Sequence, residues 1–241
     1  MENATTRDVF EREGWVVVRQ LVAQPTLTAL RAATSALEQA AAEFELDTMV
    51  RGVFFEMQSA SGKKGERAIS PGGLRKITSP SKGHPAFAKL RRDPRVLAAV
   101  ASCGIAAPRC LIDQVNFKLP RVGTCFPYHQ DAWFLIGDAR LQVFRYGGVN
   151  AVIALDAADE DNGGFEVLGR THLTRAEVAD YDASVMNHGL FDESRRAVPA
   201  LAPGDAVLFH PWLGHGSGPN LSDRPRRIIT LWFGGGADLP T

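Results

Sequence analysis

The segment Phe126-Pro127-Tyr128-His129-Gln130-Asp131 decides how this chain is read. On an extended backbone, residues two apart point the same way, so His129 and Asp131 can reach one point in space. A second imidazole, His215, follows about eighty residues later. Two imidazoles and one carboxylate are the facial set that holds Fe(II) on one side and leaves the other side open. Ligands from segments so far apart suit a strand-rich barrel or sandwich, where chain neighbours need not be spatial neighbours. An isolated His-x-Asp occurs often by chance, so the surrounding sequence has to support the reading.

Outward from this segment, the chain from residue 109 onward is built of short strands and turns. Residues 111–119, 149–155, 165–168, 206–209 and 228–233 read as strands. Turn chemistry separates them at 120–123, 159–164 and 203–205. Many short antiparallel strands of this kind suit a double-stranded β-helix, the jelly-roll type of sandwich. Residues 1–108 read as a largely helical N-terminal part. A helix over 6–13 ends at Gly14, and residues 15–19 form a β-branched strand. Leu27, Leu30, Ala33, Leu37 and Ala41 then recur at helical spacing, predicting an amphipathic helix from Pro25 to about Phe44. Residues 53–57 read as a strand, 59–73 as a loop rich in Ser, Gly, Lys and Arg, and 85–90 and 94–102 as two short helices. The expected class is α+β with a mainly β core, a jelly roll over 109–241.

At 241 residues the chain fits one domain, 1–241, with length enough for a substantial core. Lys plus Arg and Asp plus Glu stand at 27 each, so the formal net charge is zero. No global field draws nucleic acid or an anionic membrane. The first eight residues are polar and carry acids, unlike a secretory signal. The longest apolar stretch, 96–107, is interrupted by Ser102 and is too short to span a bilayer. Cys103, Cys110 and Cys125 give no zinc spacing and no even disulfide set, which predicts a reduced, cytoplasmic setting. Cys125, four residues before His129, reads as a core thiol.

The second histidine opens the run His215-Gly216-Ser217-Gly218-Pro219-Asn220-Leu221-Ser222, followed by Arg224, Arg226 and Arg227. Together with the 126–131 segment, this resembles the phytanoyl-CoA dioxygenase family of Fe(II)/2-oxoglutarate oxygenases. In that family the second histidine precedes a small-Ser-x-Pro-Asn-x-Ser run, and an arginine eleven residues past it binds the far carboxylate of 2-oxoglutarate. Counted from His215, that arginine is Arg226. The specific motifs cover roughly residues 116–232, while the N-terminal third matches only in general pattern.

The resemblance implies that the jelly roll is buttressed by N-terminal helices. It implies iron held by His129, Asp131 and His215, with 2-oxoglutarate and O₂ as cosubstrates. It implies that Asn116 donates to 2-oxoglutarate and that Phe126 walls it, although core or ladder roles stay open for both. Ser217 and Thr230 are placed to add hydroxyl contacts. Trp133 and Phe134, directly after Asp131, are candidate walls of the substrate pocket, with a core role equally open. The strand at 226–231 alternates faces, so only one of Arg226 and Arg227 points inward. Arg224 and Arg227 are then expected in solvent. His210 is the rival second ligand, but Ser217, Asn220, Ser222 and Arg226 fall into register only from His215. His172 reads as structural, and His84 and His188 have no supporting context. The 161–165 turn reads as architectural, its glycines permitting a tight hairpin.

The implied activity hydroxylates or otherwise oxidises an unactivated C–H bond of a small-molecule metabolite, releasing succinate and CO₂. The carboxylate of Asp131 argues against the related halogenases, in which a small residue leaves room for chloride. Desaturation, ring closure and epimerisation stay open. The chain is short for the family, which favours a small metabolite of specialised metabolism. Lys63, Lys64, Arg67 and Arg75 suit either an anionic substrate group or a solvated loop. Two other classes compete. A cupin-like metal enzyme without 2-oxoglutarate has no need of the Ser217/Asn220/Arg226 set. A non-catalytic jelly-roll binding module makes the triad an accident.

Overall fold

The computed structural model describes residues 4–176 and 189–236. Helix α1, Thr6–Glu13, is opened by Thr5, whose hydroxyl accepts from Asp8 N while the Asp8 carboxylate accepts from Thr5 N. Gly14 closes it at φ 81°, where a Cβ would collide with the His172 ring. The chain then runs into β1, Trp15–Val18, and α2, Gln24–Ala40. Strands β2 (Thr48–Val50), β3 (Val53–Met57) and β4 (Leu74–Thr78) precede three short helices. These are α3 (Pro80–Gly83), α4 (Pro85–Leu90) and α5 (Pro94–Ala101), each with proline in its first turn. There follow β5 (Arg109–Lys118), β6 (Phe126–His129), α6 (Gly137–Tyr146), β7 (Gly148–Ala154), β8 (Glu166–Leu168), β9 (Arg196–Ala197), β10 (Ala206–Phe209), β11 (Gly214–Ser217) and β12 (Arg226–Gly234).

Two antiparallel sheets make the double-stranded β-helix. The larger has the order β1-β10-β7-β12-β5-β4-β3-β2 and the smaller the order β6-β11-β8-β9. The N-terminal part is therefore not helical throughout, since β1 sits at one edge of the large sheet and β2 to β4 at the other. The sequence pattern shows β1 and β3. It misses β2 and β4, because Leu74–Thr78 carries two cations in an otherwise short apolar run. Helix α6 is missed as well, since of its ten residues only Val143 is buried and the apolar stripe is thin.

The period of two along the central strands sorts side chains between a helix-covered core and a cavity. From β12, Ile229, Leu231 and Phe233 join a core with Leu27, Leu30 and Leu37 of α2. Its alternate residues Arg226, Ile228, Thr230 and Trp232 line the cavity between the sheets. β5 divides likewise, with Val115 and Phe117 in the core and Gln114 and Asn116 at the cavity. Each aliphatic side chain removed from water contributes ~1.5–3 kcal/mol, so the helix-facing residues anchor the sheet and fix what the other face presents. A second core of Val152, Phe165, Val207, Phe209 and Ile228 lies behind the cavity.

Candidate active site

His129 and His215 are directly paired across β6 and β11, as Cα partners in the small sheet. Their ring centroids lie 4.3 Å apart. Asp131 follows β6 at the start of a 3-10 turn, Asp131–Phe134. Gln130 between them is fully buried and points elsewhere. Its amide nitrogen faces the carbonyls of Trp212 (2.6 Å), Thr174 (2.8 Å) and Thr171 (3.3 Å), and its oxygen accepts from Ala176 N. This anchoring sends His129 and Asp131 together to the opposite side. The candidate ligand atoms of His129, Asp131 and His215 all lie within 4.8 Å of one another.

The protonation pattern suits a metal. His129 Nδ1 lies 2.6 Å from Pro127 O, and His215 Nδ1 lies 2.8 Å from Leu213 O. A carbonyl only accepts, so each Nδ1 carries a proton and each Nε2 is turned toward Asp131. The two Nε2 atoms stand 3.3 and 3.5 Å from Asp131 Oδ1. Burial and the neighbouring His215 pull the His129 pKa down, which keeps the imidazole neutral. Burial alone would raise the Asp131 pKa, but His215 and His129 hold it well below the usual carboxylate range. Neutral imidazoles and an ionised carboxylate are the donor forms that a divalent cation requires. Phe209 and Phe165 pack on His215 at 4.7 and 5.3 Å between ring centroids and fix its orientation.

A cavity of about 500 Å³ opens over this cluster, and Arg226 lies in its wall. Arg226 is 1% exposed. Its Nε donates to Gly163 O at 3.1 Å, and its Nη1 is buried without a hydrogen-bond partner. Gly163, at φ 71°, sits where a Cβ would strike Gly218 O, so the 161–165 turn positions this arginine as well as closing a hairpin. Burial without a carboxylate partner pulls the Arg226 pKa down. Burying an unpaired charge costs several kcal/mol. A dicarboxylate whose far end meets Nη1 would offset that cost through a charge-assisted bond. The residues present thus fit both an Fe(II) ion and 2-oxoglutarate.

Asn116, Phe126, Phe134, Ser217 and Thr230 also line the cavity. Asn116 Nδ2 donates to Thr230 Oγ1 at 2.9 Å. Trp133 is not among the lining residues. It packs edge-on to Trp212 at 5.1 Å, because the 3-10 turn sends Phe134 and Trp133 to different sides. The solvated expectation for Arg227 is also corrected, since it faces the helix side and pairs with Asp156 at 2.8 Å and Glu38 at 3.0 Å. Arg224 holds Asp159 at 2.9 Å. His210 stands outside the cluster, its ring 5.3 Å from that of His172 and 6.1 Å from Phe10. His172 Nε2 lies 3.0 Å from Glu11 O, a structural contact. Cys125 is buried and outside the ligand cluster. His188 lies outside the described residues.

The sequence pattern does not announce Asn150, whose Nδ2 donates to Asp131 Oδ2 at 2.7 Å, or Trp232, which lines the cavity from β12. Nor does it single out Lys118, buried with its Nζ against the carbonyls of Gly218, Thr124 and Ser217. Asn220 turns the chain between β11 and β12, its amide donating to Arg224 O and Lys118 O. That is a structural reason for the Pro-Asn-x-Ser run.

The family model described as phytanoyl-CoA dioxygenase (PhyH) matches residues 10–228. The peroxisomal phytanoyl-CoA dioxygenase of Bos taurus is 32% identical over 119 residues, covering 44% of this chain and 33% of that enzyme. The match thus spans about a third of that relative's length. AviO1 from Streptomyces viridochromogenes Tue57 superposes with a TM-score of 0.71 at 20% identity, covering 99% of each chain. EvdO2 from Micromonospora carbonacea var. aurantiaca, complexed with 2-oxoglutarate, gives 0.67 at 22% identity over 98% of this chain and 93% of its own. These likenesses show the shared fold. The cytoplasmic expectation is corrected by the relatives, because the matched cattle, mouse, rat and human enzymes are peroxisomal. Unbridged cysteines speak to redox conditions and do not name an organelle. Among the described residues, no helix is long and apolar enough to cross a membrane.

Proposed function

Since the chain belongs to the phytanoyl-CoA dioxygenase family, we propose that residues 1–241 form one Fe(II)- and 2-oxoglutarate-dependent oxygenase domain that hydroxylates, or otherwise oxidises, a C–H bond of a small molecule, with release of succinate and CO₂. One observation carries this reading. A single cavity joins an open three-ligand cluster to a buried arginine with an unpaired nitrogen. A jelly-roll metal enzyme that does not use a dicarboxylate has no need of the second, and a non-catalytic module needs neither.

Bound iron and 2-oxoglutarate supply the oxidising chemistry with O₂, and the protein supplies position and electrostatics. His129 Nε2, His215 Nε2 and Asp131 Oδ1 would hold the metal, and such a three-ligand set leaves positions for exchangeable ligands. The Nδ1 bonds to Pro127 O and Leu213 O keep both imidazoles in the ligating tautomer. Arg226 Nη1 would take the far carboxylate of 2-oxoglutarate, with the hydroxyls of Ser217 and Thr230 and the Asn116 amide available beside it. The Phe126 ring would wall the cosubstrate. Phe134 and Trp232 bound the space left for substrate. The apolar rings of Phe165 and Phe209 behind His215 exclude water from the ligand side.

The test is twofold. Under anaerobic conditions, Fe(II) and 2-oxoglutarate together should give a visible absorption that neither gives alone. In air, a panel of small molecules should raise succinate release above the substrate-free rate. Iron binding without any 2-oxoglutarate-dependent absorption or succinate would replace this reading with the cupin-like one.

A further inference from the structure

The cavity wall holds a second buried guanidinium, Arg75 of β4, whose side chain is 7% exposed. Its Nη1 donates to Glu56 Oε1 at 2.5 Å, and its Cζ lies 4.0 Å from the centroid of the Phe126 ring. Its Nη2 is buried with no hydrogen-bond partner. Glu56 does not need Arg75 alone, since Lys76 Nζ also reaches it at 3.0 Å. Lys63 and Lys64 of the 59–73 loop reach the same cavity. Arg67 of that loop does not, being exposed and paired with Glu45.

Charge balance separates this group from the cosubstrate. The iron's two positive charges and Arg226 offset Asp131 and the two carboxylates of 2-oxoglutarate. Among the described residues, four lining cations then remain, Lys63, Lys64, Arg75 and Lys76, and Glu56 is the one lining carboxylate left against them. Position separates it too. β4 and β12 are two strands apart in the sheet, with β5 between them, so the Arg75 and Arg226 backbones are ~10 Å apart. An unmade bond on a buried donor is unfavourable, and an oxyanion is the group that satisfies a guanidinium best. We propose that Arg75, with Lys63 and Lys64 at the rim, docks an oxyanion of the substrate, a carboxylate or a phosphoryl group. The target molecule is thus an acid or a phosphorylated or phosphonylated metabolite. This rests on the 2-oxoglutarate reading above, which gives Arg226 to the cosubstrate.

The experiment titrates inorganic phosphate and, separately, acetate into the Fe(II)- and 2-oxoglutarate-loaded protein without oxygen, by calorimetry. At least one anion should bind, and Arg75→Gln should weaken it ~10- to 100-fold, the range of a lost charged hydrogen bond. The affinity for 2-oxoglutarate should stay within about two-fold. Preference for phosphate assigns a phosphoryl group, and preference for acetate a carboxylate. The double variant Lys63→Gln/Lys64→Gln, confined to the loop, should weaken the anion several-fold at low salt and much less at high salt. It keeps the test decisive if Arg75→Gln does not fold. The proposal is overturned if neither anion binds the wild type, or if binding survives both sets of substitutions. It is equally overturned if Arg75→Gln weakens 2-oxoglutarate as much as the anion. A wild type that binds phosphate through Arg75 but takes up no 2-oxoglutarate would keep the anion site and sink the oxygenase reading instead.

Discussion

Asn150 donates its side-chain amide to Asp131 Oδ2 at 2.7 Å, and both groups are buried. The bond leaves Oδ1 as the carboxylate oxygen that faces the two imidazoles. It also fixes the carboxylate plane, so Asp131 meets a metal through one oxygen. Asn150 sits on β7 in register with both Trp232 of β12 and Phe209 of β10, which makes its own position rigid.

Asn150→Ala should therefore weaken Fe(II) binding ~10- to 100-fold, the usual effect of losing a partner that orients a ligand. The fold should survive, because a small cavity and one lost hydrogen bond cost only ~1–3 kcal/mol. Metal titration beside thermal melting separates the two effects. An unchanged metal affinity would mean that something other than Asn150 orients the carboxylate.

The choice between His215 and His210 can be read directly. His215→Ala should abolish metal binding with the fold kept, since the ligand set loses one of three members. His210→Ala should leave metal stoichiometry intact and lower stability instead, through the ring contacts with Phe10 and His172. Metal content measured after dialysis decides the matter, and the reverse pattern would move the site to His210.

Acid should destabilise the protein through His210 in particular. Burial, with a smaller effect from His172, pushes its pKa down from the ordinary 6.5 to about 4. The unfolded chain then binds a proton that the folded chain refuses. Stability is unaffected by this group above pH 6.5, falls as pH drops below that value, and levels off near pH 4. The full loss is about 3 kcal/mol. Chemical denaturation from pH 7 to 4 should show it, and His210→Gln should flatten the curve over that window. An equally steep curve in the variant would assign the acid sensitivity to other groups.

The residues that carry chemistry were more legible in the sequence than the elements around them. His129, Asp131, His215 and Arg226 stand at fixed spacings within motif runs, and spacing survives in one dimension. The facing of β12 was legible as an alternative, because a period of two allows only one of Arg226 and Arg227 inward. Asn150 was not, since its partner is Asp131, in the turn that follows β6 of the other sheet, and nothing in Val149-Asn150-Ala151 marks it. For Trp133 the pocket and core roles both stood open, because a 3-10 turn breaks the alternation that a strand would have kept. The β4 strand was hidden for a related reason. Arg75 and Lys76 look like loop cations until Glu56, on the paired strand, is seen to pair with both.

Arg226 and Arg227 give the sharpest test, because they are adjacent and face opposite sides of one strand. Arg226 lies in the cavity wall with a free Nη1, while Arg227 faces α2 and holds Asp156 and Glu38. Removing a buried guanidinium from a carboxylate costs roughly 2–5 kcal/mol. That is roughly thirty-fold to several-thousand-fold in affinity. Arg226→Ala should weaken 2-oxoglutarate by a factor in that range and leave Fe(II) binding unchanged. Its effect on stability should be small or even favourable, since the apo protein loses an unpaired buried charge. Arg227→Ala should do the opposite. Its ion pairs are partly shielded from water, so their loss should cost about 1–3 kcal/mol of stability, with 2-oxoglutarate affinity within about two-fold. Anaerobic 2-oxoglutarate titration and denaturant melts on both variants give four numbers, and the pattern is a crossing one. Equal and small changes in 2-oxoglutarate affinity would remove the assignment of Arg226 to the cosubstrate, and a large change only in Arg227→Ala would mean that the strand faces the other way.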